Sequence, residues 1–72
     1  MNKIQSMYPE DFEGMYQKAV EIVKETKQCS ASMLQRKLVG CGYINAARLI
    51  DRMEQEGLVS PYRGAKPREV YI

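Results

Sequence analysis

From Phe12 onward, apolar residues recur in a helical rhythm: Phe12, Tyr16, Ala19 and Val23 stand at i, i+4, i+7 and i+11. Met15, Val20 and Ile22 widen the stripe, which predicts an amphipathic helix ending near Lys27. Pro9-Glu10-Asp11 offers one start, with a first-position proline and acids in the first turn, and the Gly14 neighbourhood offers a second near Glu13. Residues 1–8 read as a flexible lead-in, and residues 9–72 as a single domain.

Cys29-Ser30-Ala31 forms a short connector, open to a brief strand. Ser32 and Gln35 then match a capping box, in which each side chain satisfies the other's backbone N–H. Leu34 and Leu38 share a face, so a short helix is expected from Met33 to about Val39, followed by a tight turn at Gly40-Cys41-Gly42. A third helix is expected from Tyr43 to Glu56, closed by Gly57 as its C′ residue. At 100° per residue, Tyr43, Ala46, Ala47, Ile50 and Met53 fall on one face, while Asn45, Arg48 and Arg52 fall within about 60° of one another on the opposite one.

Leu58-Val59-Ser60 reads as a short strand and Pro61 to Pro67 as a turn-rich loop with Tyr62 packed beneath it. Arg68-Glu69-Val70-Tyr71-Ile72 alternates polar and apolar, as a half-buried strand does. Two short helices joined by a glycine-bearing turn and followed by a hairpin define a winged helix-turn-helix. The expected fold is therefore a small α+β domain of three helices with a small antiparallel β-sheet and wing. Met15, Met33 and Met53, with Tyr16 and Tyr43, are expected to fill its core.

Composition narrows the chemistry. The 72 residues are 44% hydrophobic and 28% charged, an ordinary globular mix with room for one thin core. The longest weakly polar run, Leu38 to Gly42, falls far short of the ~20 apolar residues of a spanning helix. The first residues lack the apolar stretch of a signal peptide, so the expectation is a soluble, cytoplasmic protein without membrane contact. The chain has no His, which removes the commonest general base and zinc ligand. Cys29 and Cys41 cannot close a four-ligand zinc site; they are expected as reduced thiols, with a disulfide the alternative on count alone. No phosphate-binding glycine loop is present, and Glu10, Asp11 and Glu13 suit a helix N-terminus better than a catalytic pair. No enzyme activity, cofactor, metal or small-molecule ligand is expected.

The net charge of +2 is unevenly spread: residues 1–27 sum to −1 and residues 28–72 to +3, and five of the seven cations in the second part are Arg. Arg suits bidentate contact with phosphate and guanine. On the third helix, Arg48 and Arg52 have the reach to fork onto guanine O6 and N7, and Asn45 to pair with adenine. Arg48–Glu56, Arg52–Glu56 or Arg48–Asp51 pairs on a solvated face are the alternative use of the same side chains, and Asp51, Glu54 and Glu56 put negative charge late on the helix. Arg63 and Lys66 flank Gly64 at the wing tip, where they would meet phosphates or a minor groove. Arg36 and Lys37 would meet the backbone if the second helix crosses it.

These residues also carry a family resemblance. Ser32-x-x-Gln35-Arg36, then Gly42-Tyr43-x-x-Ala46-Ala47-Arg48-Leu49-Ile50-Asp51-x-Met53-Glu54-x-x-Gly57-Leu58-Val59-Ser60, then Arg68-Glu69-Val70 resemble the gamma domain of the FtsK/SpoIIIE DNA translocases. Tyr16-x-x-Ala19-Val20-x-Ile22-Val23 is similar too, so the likeness covers roughly residues 13–72. It implies a bacterial winged helix that binds short, oriented, G-rich chromosomal sequences and so directs a hexameric, ATP-driven DNA pump during chromosome segregation and cell division. It also implies partners beyond double-stranded DNA: a tyrosine recombinase in some members, and the parent motor, whose ATPase core this chain lacks. Where the family usually has Asn or Thr followed by Arg after its Gly-Tyr pair, this chain has Ile44 and Asn45, and its turn looks one residue longer. Only Arg48 of that set carries over, which removes about 1–3 kcal/mol of discrimination with the lost guanine pair. The alternative function is a protein-interaction module of the same fold, docking to a recombinase or motor partner, with little sequence-specific DNA binding.

Overall fold

A computed structural model describes the backbone of residues 3–72 and the side chains of residues 12–72. Among the described residues three helices appear in order, α1 (Lys3–Thr26), α2 (Ala31–Lys37) and α3 (Tyr43–Gln55). Helical backbone begins at Lys3, ahead of the expected starts at Pro9 and Glu13, and runs through most of the expected lead-in. No Gly or Pro interrupts residues 3–8, and Pro9 forfeits one amide hydrogen bond without ending the helix. Residues 1 and 2 of the lead-in lie outside the described residues.

α1 ends where Lys27 enters the left-handed region at φ 58° while its N–H still bonds the Val23 carbonyl at 2.8 Å. The hydroxyl of Thr26 donates to the Ile22 carbonyl at 2.7 Å and accepts weakly from the Gln28 N–H at 3.3 Å. The connector that follows is not a strand. Its extended Ser30 caps α2, the hydroxyl accepting from the Met33 N–H at 3.2 Å. The cap therefore sits two positions before Ser32, which becomes a helical residue, and Gln35 is too far along to close a capping box. Leu38, in extended conformation, terminates α2 earlier than expected, and Gly40 at φ 81° turns the chain toward α3.

α3 ends in a full Schellman motif. The Leu58 N–H bonds the Met53 carbonyl at 2.9 Å, and the Gly57 N–H bonds that of Glu54 at 3.0 Å. This geometry needs a left-handed residue between them, which Gly57 supplies at φ 77°.

The core gathers Tyr16, Ala19 and Val23 of α1, Met33 and Leu34 of α2, Leu38, and Ala46, Leu49, Ile50 and Met53 of α3, closed by Val59. Phe12, Met15, Val20 and Ile22 pack around it, as the stripe predicts. Cys29 and Cys41 are both buried and both free thiols, held above their ordinary pKa by burial.

Residues 58–72 return on themselves as an arm, but no strand or sheet forms among the described residues. Isolated antiparallel bridges join Val59 to Val70 and Arg63 to Lys66. Pro61 and Pro67 fall between the bridges, and neither has an N–H to donate to a ladder. Side chains take over at buried Ser60: its N–H bonds the Glu69 carbonyl at 2.9 Å, its hydroxyl accepts from the Glu69 N–H at 2.8 Å, and its carbonyl accepts from Arg68 at 2.8 Å. Arg68 in turn bonds Glu54 of α3 at 2.9 Å, fastening the arm to the helix. Among the described residues no helix is long and apolar enough to cross a membrane.

Candidate nucleic-acid interface

The orientation of α3 decides which of its polar side chains face outward. Its buried residues, Ala46, Leu49, Ile50 and Met53, centre the core face well toward Leu49. At 100° per residue this leaves Ile44 and Arg48 about opposite the core, with Asn45 and Arg52 on one flank and Tyr43 and Ala47 on the other. Tyr43 is accordingly 65% exposed and not a core residue. Ile44, at 73% exposure, stands out from the helix beside exposed Arg48. Asn45 is half-buried.

Arg52 is tied up by carboxylates. Its guanidinium meets Glu13 of α1 at 2.6 Å and Glu56 of its own helix at 3.2 Å, and it lies over the Tyr16 ring. Of the alternative pairs on this helix, Arg52–Glu56 therefore forms. The hydrogen bond it donates to Glu13, with help from the one to Glu56, holds the guanidinium above its usual range. Tyr16 donates its phenolic O–H to Glu56 at 2.6 Å. Burial and that carboxylate push the Tyr16 pKa up to about 12, while the Tyr16 hydrogen bond and then Arg52 draw Glu56 down. Arg52 thus joins α1 to α3 through these contacts.

The opposite flank of α3 opens on a groove of about 330 Å³. Tyr43, Ala47, Ile50 and Asp51 line it from the helix, Tyr62, Lys66, Pro67 and Arg68 line it from the arm, and Cys29 to Ala31 complete the lining. Lys66 and α3 therefore border one groove, which Asp51 also lines. Tyr62 is 74% exposed, not packed beneath the arm, with the Arg68 guanidinium 5.8 Å from its ring centroid. Arg63 stands outside the groove lining, donating to the Pro67 carbonyl at 2.6 Å and lying 3.6 Å from Glu69. Arg36 and Lys37 are exposed at the C-terminal end of α2, outside the groove. Among the described residues, Arg36, Lys37, Arg48 and Lys66 have no carboxylate within 4.0 Å.

The sequence pattern did not single out Tyr43 and Asp51 as groove residues, nor Glu13 as a partner of Arg52. The signal was present in Leu49: counting it with the apolar face rotates α3 enough to expose Tyr43 and to bring Arg52 toward α1.

The family model for the Ftsk gamma domain matches residues 10–72. This chain belongs to the FtsK gamma domain family. The domain is 55% identical over 58 residues to the DNA translocase FtsK of Bacillus cereus, covering 81% of this chain and 7% of that protein. It is 52% identical over 58 residues to the DNA translocase SpoIIIE of Bacillus subtilis, covering 81% of this chain and 7% of that protein. A FtsK of Borreliella burgdorferi is 55% identical over 60 residues, covering 83% of this chain and 8% of its own length. This gamma domain thus corresponds to a small part of each of these bacterial translocases.

Proposed function

We propose that this gamma domain binds double-stranded DNA as a winged helix, with α3 in the major groove and the 58–72 arm beside it as the wing. One observation carries the reading: exposed Arg48, with no carboxylate partner among the described residues, stands on the outward face of a helix whose flank shares a groove with Lys66. The helix and the arm tip are thereby parts of one surface, the arrangement a duplex requires of a recognition helix and its wing. The names of the relatives, all DNA translocases, support the same reading.

In this reading Arg48 forks onto a guanine and Asn45 reaches an adenine from the flank of the helix. Arg36, Lys37 and Lys66 neutralise phosphates, and Arg63 joins them by exchanging its carbonyl and carboxylate partners for a phosphate. Arg52 contributes by fixing the angle of α3 against α1, not by touching DNA. The target is short, oriented and G-rich, and within a longer translocase the domain sets the direction of pumping.

The test is a titration of the 72-residue chain with duplex DNA over a range of salt concentrations. About four to six phosphate contacts give a slope of log affinity against log salt of about −4 to −5. Absence of binding at low salt would refute the reading, and a flat salt response would remove the phosphate roles. A second reading, docking to a recombinase or to the motor, rests on the wholly exposed Val39 in the turn before α3. A pull-down that retains such a partner but no duplex favours it.

A further inference from the structure

We infer that Ile44 is a specificity residue, packing on the C5-methyl group of a thymine one or two base pairs from the guanine held by Arg48. The inference rests on the duplex-binding reading above. Ile44 is 73% exposed in the first turn of α3, while the apolar residues of the helix's core face, Ala46, Leu49, Ile50 and Met53, are all buried. It makes no contribution to the core and sits about opposite the core face. Its position is therefore not explained by packing within the domain.

Arg48 follows four residues later on the same face, also exposed. Residues at this spacing are neighbours, separated by a rise of about 6 Å along the axis. Base pairs stack at about 3.4 Å, so two side chains so placed address positions one or two steps apart when the helix lies along the groove. The major-groove edge of a duplex offers hydrogen-bonding groups at every base pair but only one apolar feature, the thymine methyl. An aliphatic side chain without polar atoms distinguishes bases there by that group. Val39 and Tyr43, the other exposed apolar residues near this end of α3, stand elsewhere: Val39 in the preceding turn and Tyr43 in the lining of the groove. Ile44 alone of the three shares the outward face with Arg48.

The experiment selects bound duplexes from a randomised library with the 72-residue chain, then measures affinity by fluorescence anisotropy with each dT of the winning site replaced in turn by dU. That exchange removes a methyl group and leaves every hydrogen-bonding group in place. One dU, within two base pairs of the guanine whose loss is masked by Arg48→Ala, is expected to lower affinity about fourfold, the ~0.8 kcal/mol of one buried methyl-sized group. Ile44→Ala should bind the dT and dU duplexes equally, and Ile44→Val should restore most of the difference. Both substitutions fall at an exposed helical position, and far-UV circular dichroism confirms that the helices persist. The inference is overturned if no dU near that guanine changes affinity, or if Ile44→Ala keeps the full difference. If the library yields no bound duplex at all, the duplex-binding reading has failed first and takes this one with it.

Discussion

The guanidinium carbon of Arg52 lies 4.2 Å from the centroid of the Tyr16 ring, so a cation on α3 rests on an aromatic face of α1. Glu13 and Glu56 hold it there from two sides. A cation over a ring is attracted by the ring quadrupole, and the two carboxylates fix the geometry in which that attraction operates. Arg52→Ala is expected to lower the urea midpoint of the domain more than Glu13→Gln does, because it removes the stacking contact as well as the charge. It should leave the salt slope of DNA binding unchanged. A fall in that slope by about 1 would instead assign Arg52 to a phosphate.

Tyr16 makes the same junction sensitive to alkali. Its pKa rises from 10.0 in the unfolded chain to about 12 in the folded one. Between those values the unfolded state has released the phenolic proton and the folded state still holds it. Stability must then fall as pH rises through this window, and the slope disappears below about pH 10. Tyr16→Phe removes the slope. It also costs about 0.5–1.5 kcal/mol at neutral pH, the usual net value of one hydrogen bond. Chemical denaturation of both proteins from pH 8 to 12 measures the two effects together. Glu56 works in the opposite sense, since its folded pKa is lowered: its stabilising contribution is present above the ordinary carboxylate range and is lost as pH falls through the folded value.

Arg48 and Lys66 should separate base contact from phosphate contact. Arg48→Ala is expected to cost about 1–3 kcal/mol on a cognate duplex and to flatten the preference at one guanine. Lys66→Ala should weaken binding evenly across sequences and reduce the salt slope by about 1. Arg63→Ala should reduce the slope by less, because its guanidinium already serves the Pro67 carbonyl and Glu69 within the arm. Anisotropy titrations on matched and scrambled duplexes at several salt concentrations distinguish the three.

Much of this architecture is legible in the pattern of apolar residues. The stripe from Phe12 to Val23, the turn at Gly40 and the Gly57 stop each express a local rule, helical periodicity or the need for positive φ, and each stands where the sequence predicts. The capping-box pattern favours Ser32, whose Gln35 completes it, but Ser30 has the same capping chemistry, and its extended backbone makes it the cap. The pattern predicts strands at 58–60 and 68–72 on either side of a loop from Pro61 to Pro67; among the described residues only the single bridges Val59–Val70 and Arg63–Lys66 form, and without an N–H on Pro61 or Pro67 no ladder runs from one to the other. The Glu13 partner of Arg52 is the least legible. Glu13 lies 39 residues away, and only the packing of α1 on α3 brings it within 2.6 Å.

Gly14 and Gly57 should respond to the same substitution with opposite signs. Apart from the adjoining backbone, neither has any atom within 4 Å of where a Cβ would stand, so crowding by the rest of the domain plays no part at either position. Gly14 lies inside α1 with an ordinary helical backbone, where glycine leaves the unfolded chain more freedom than alanine would. Gly14→Ala is expected to stabilise the domain by about 0.5–1 kcal/mol. Gly57 sits at φ 77° in the motif that closes α3, a conformation in which a Cβ presses on the following carbonyl at a cost of about 1–2 kcal/mol. Gly57→Ala must therefore bear that strain or break the hydrogen bonds to Met53 and Glu54, and with them the path of the chain into Leu58 and Val59. Urea denaturation of the two variants, compared with the parent, should show midpoints displaced to either side of it. A stabilising Gly57→Ala would mean that the left-handed stop is not what ends the helix.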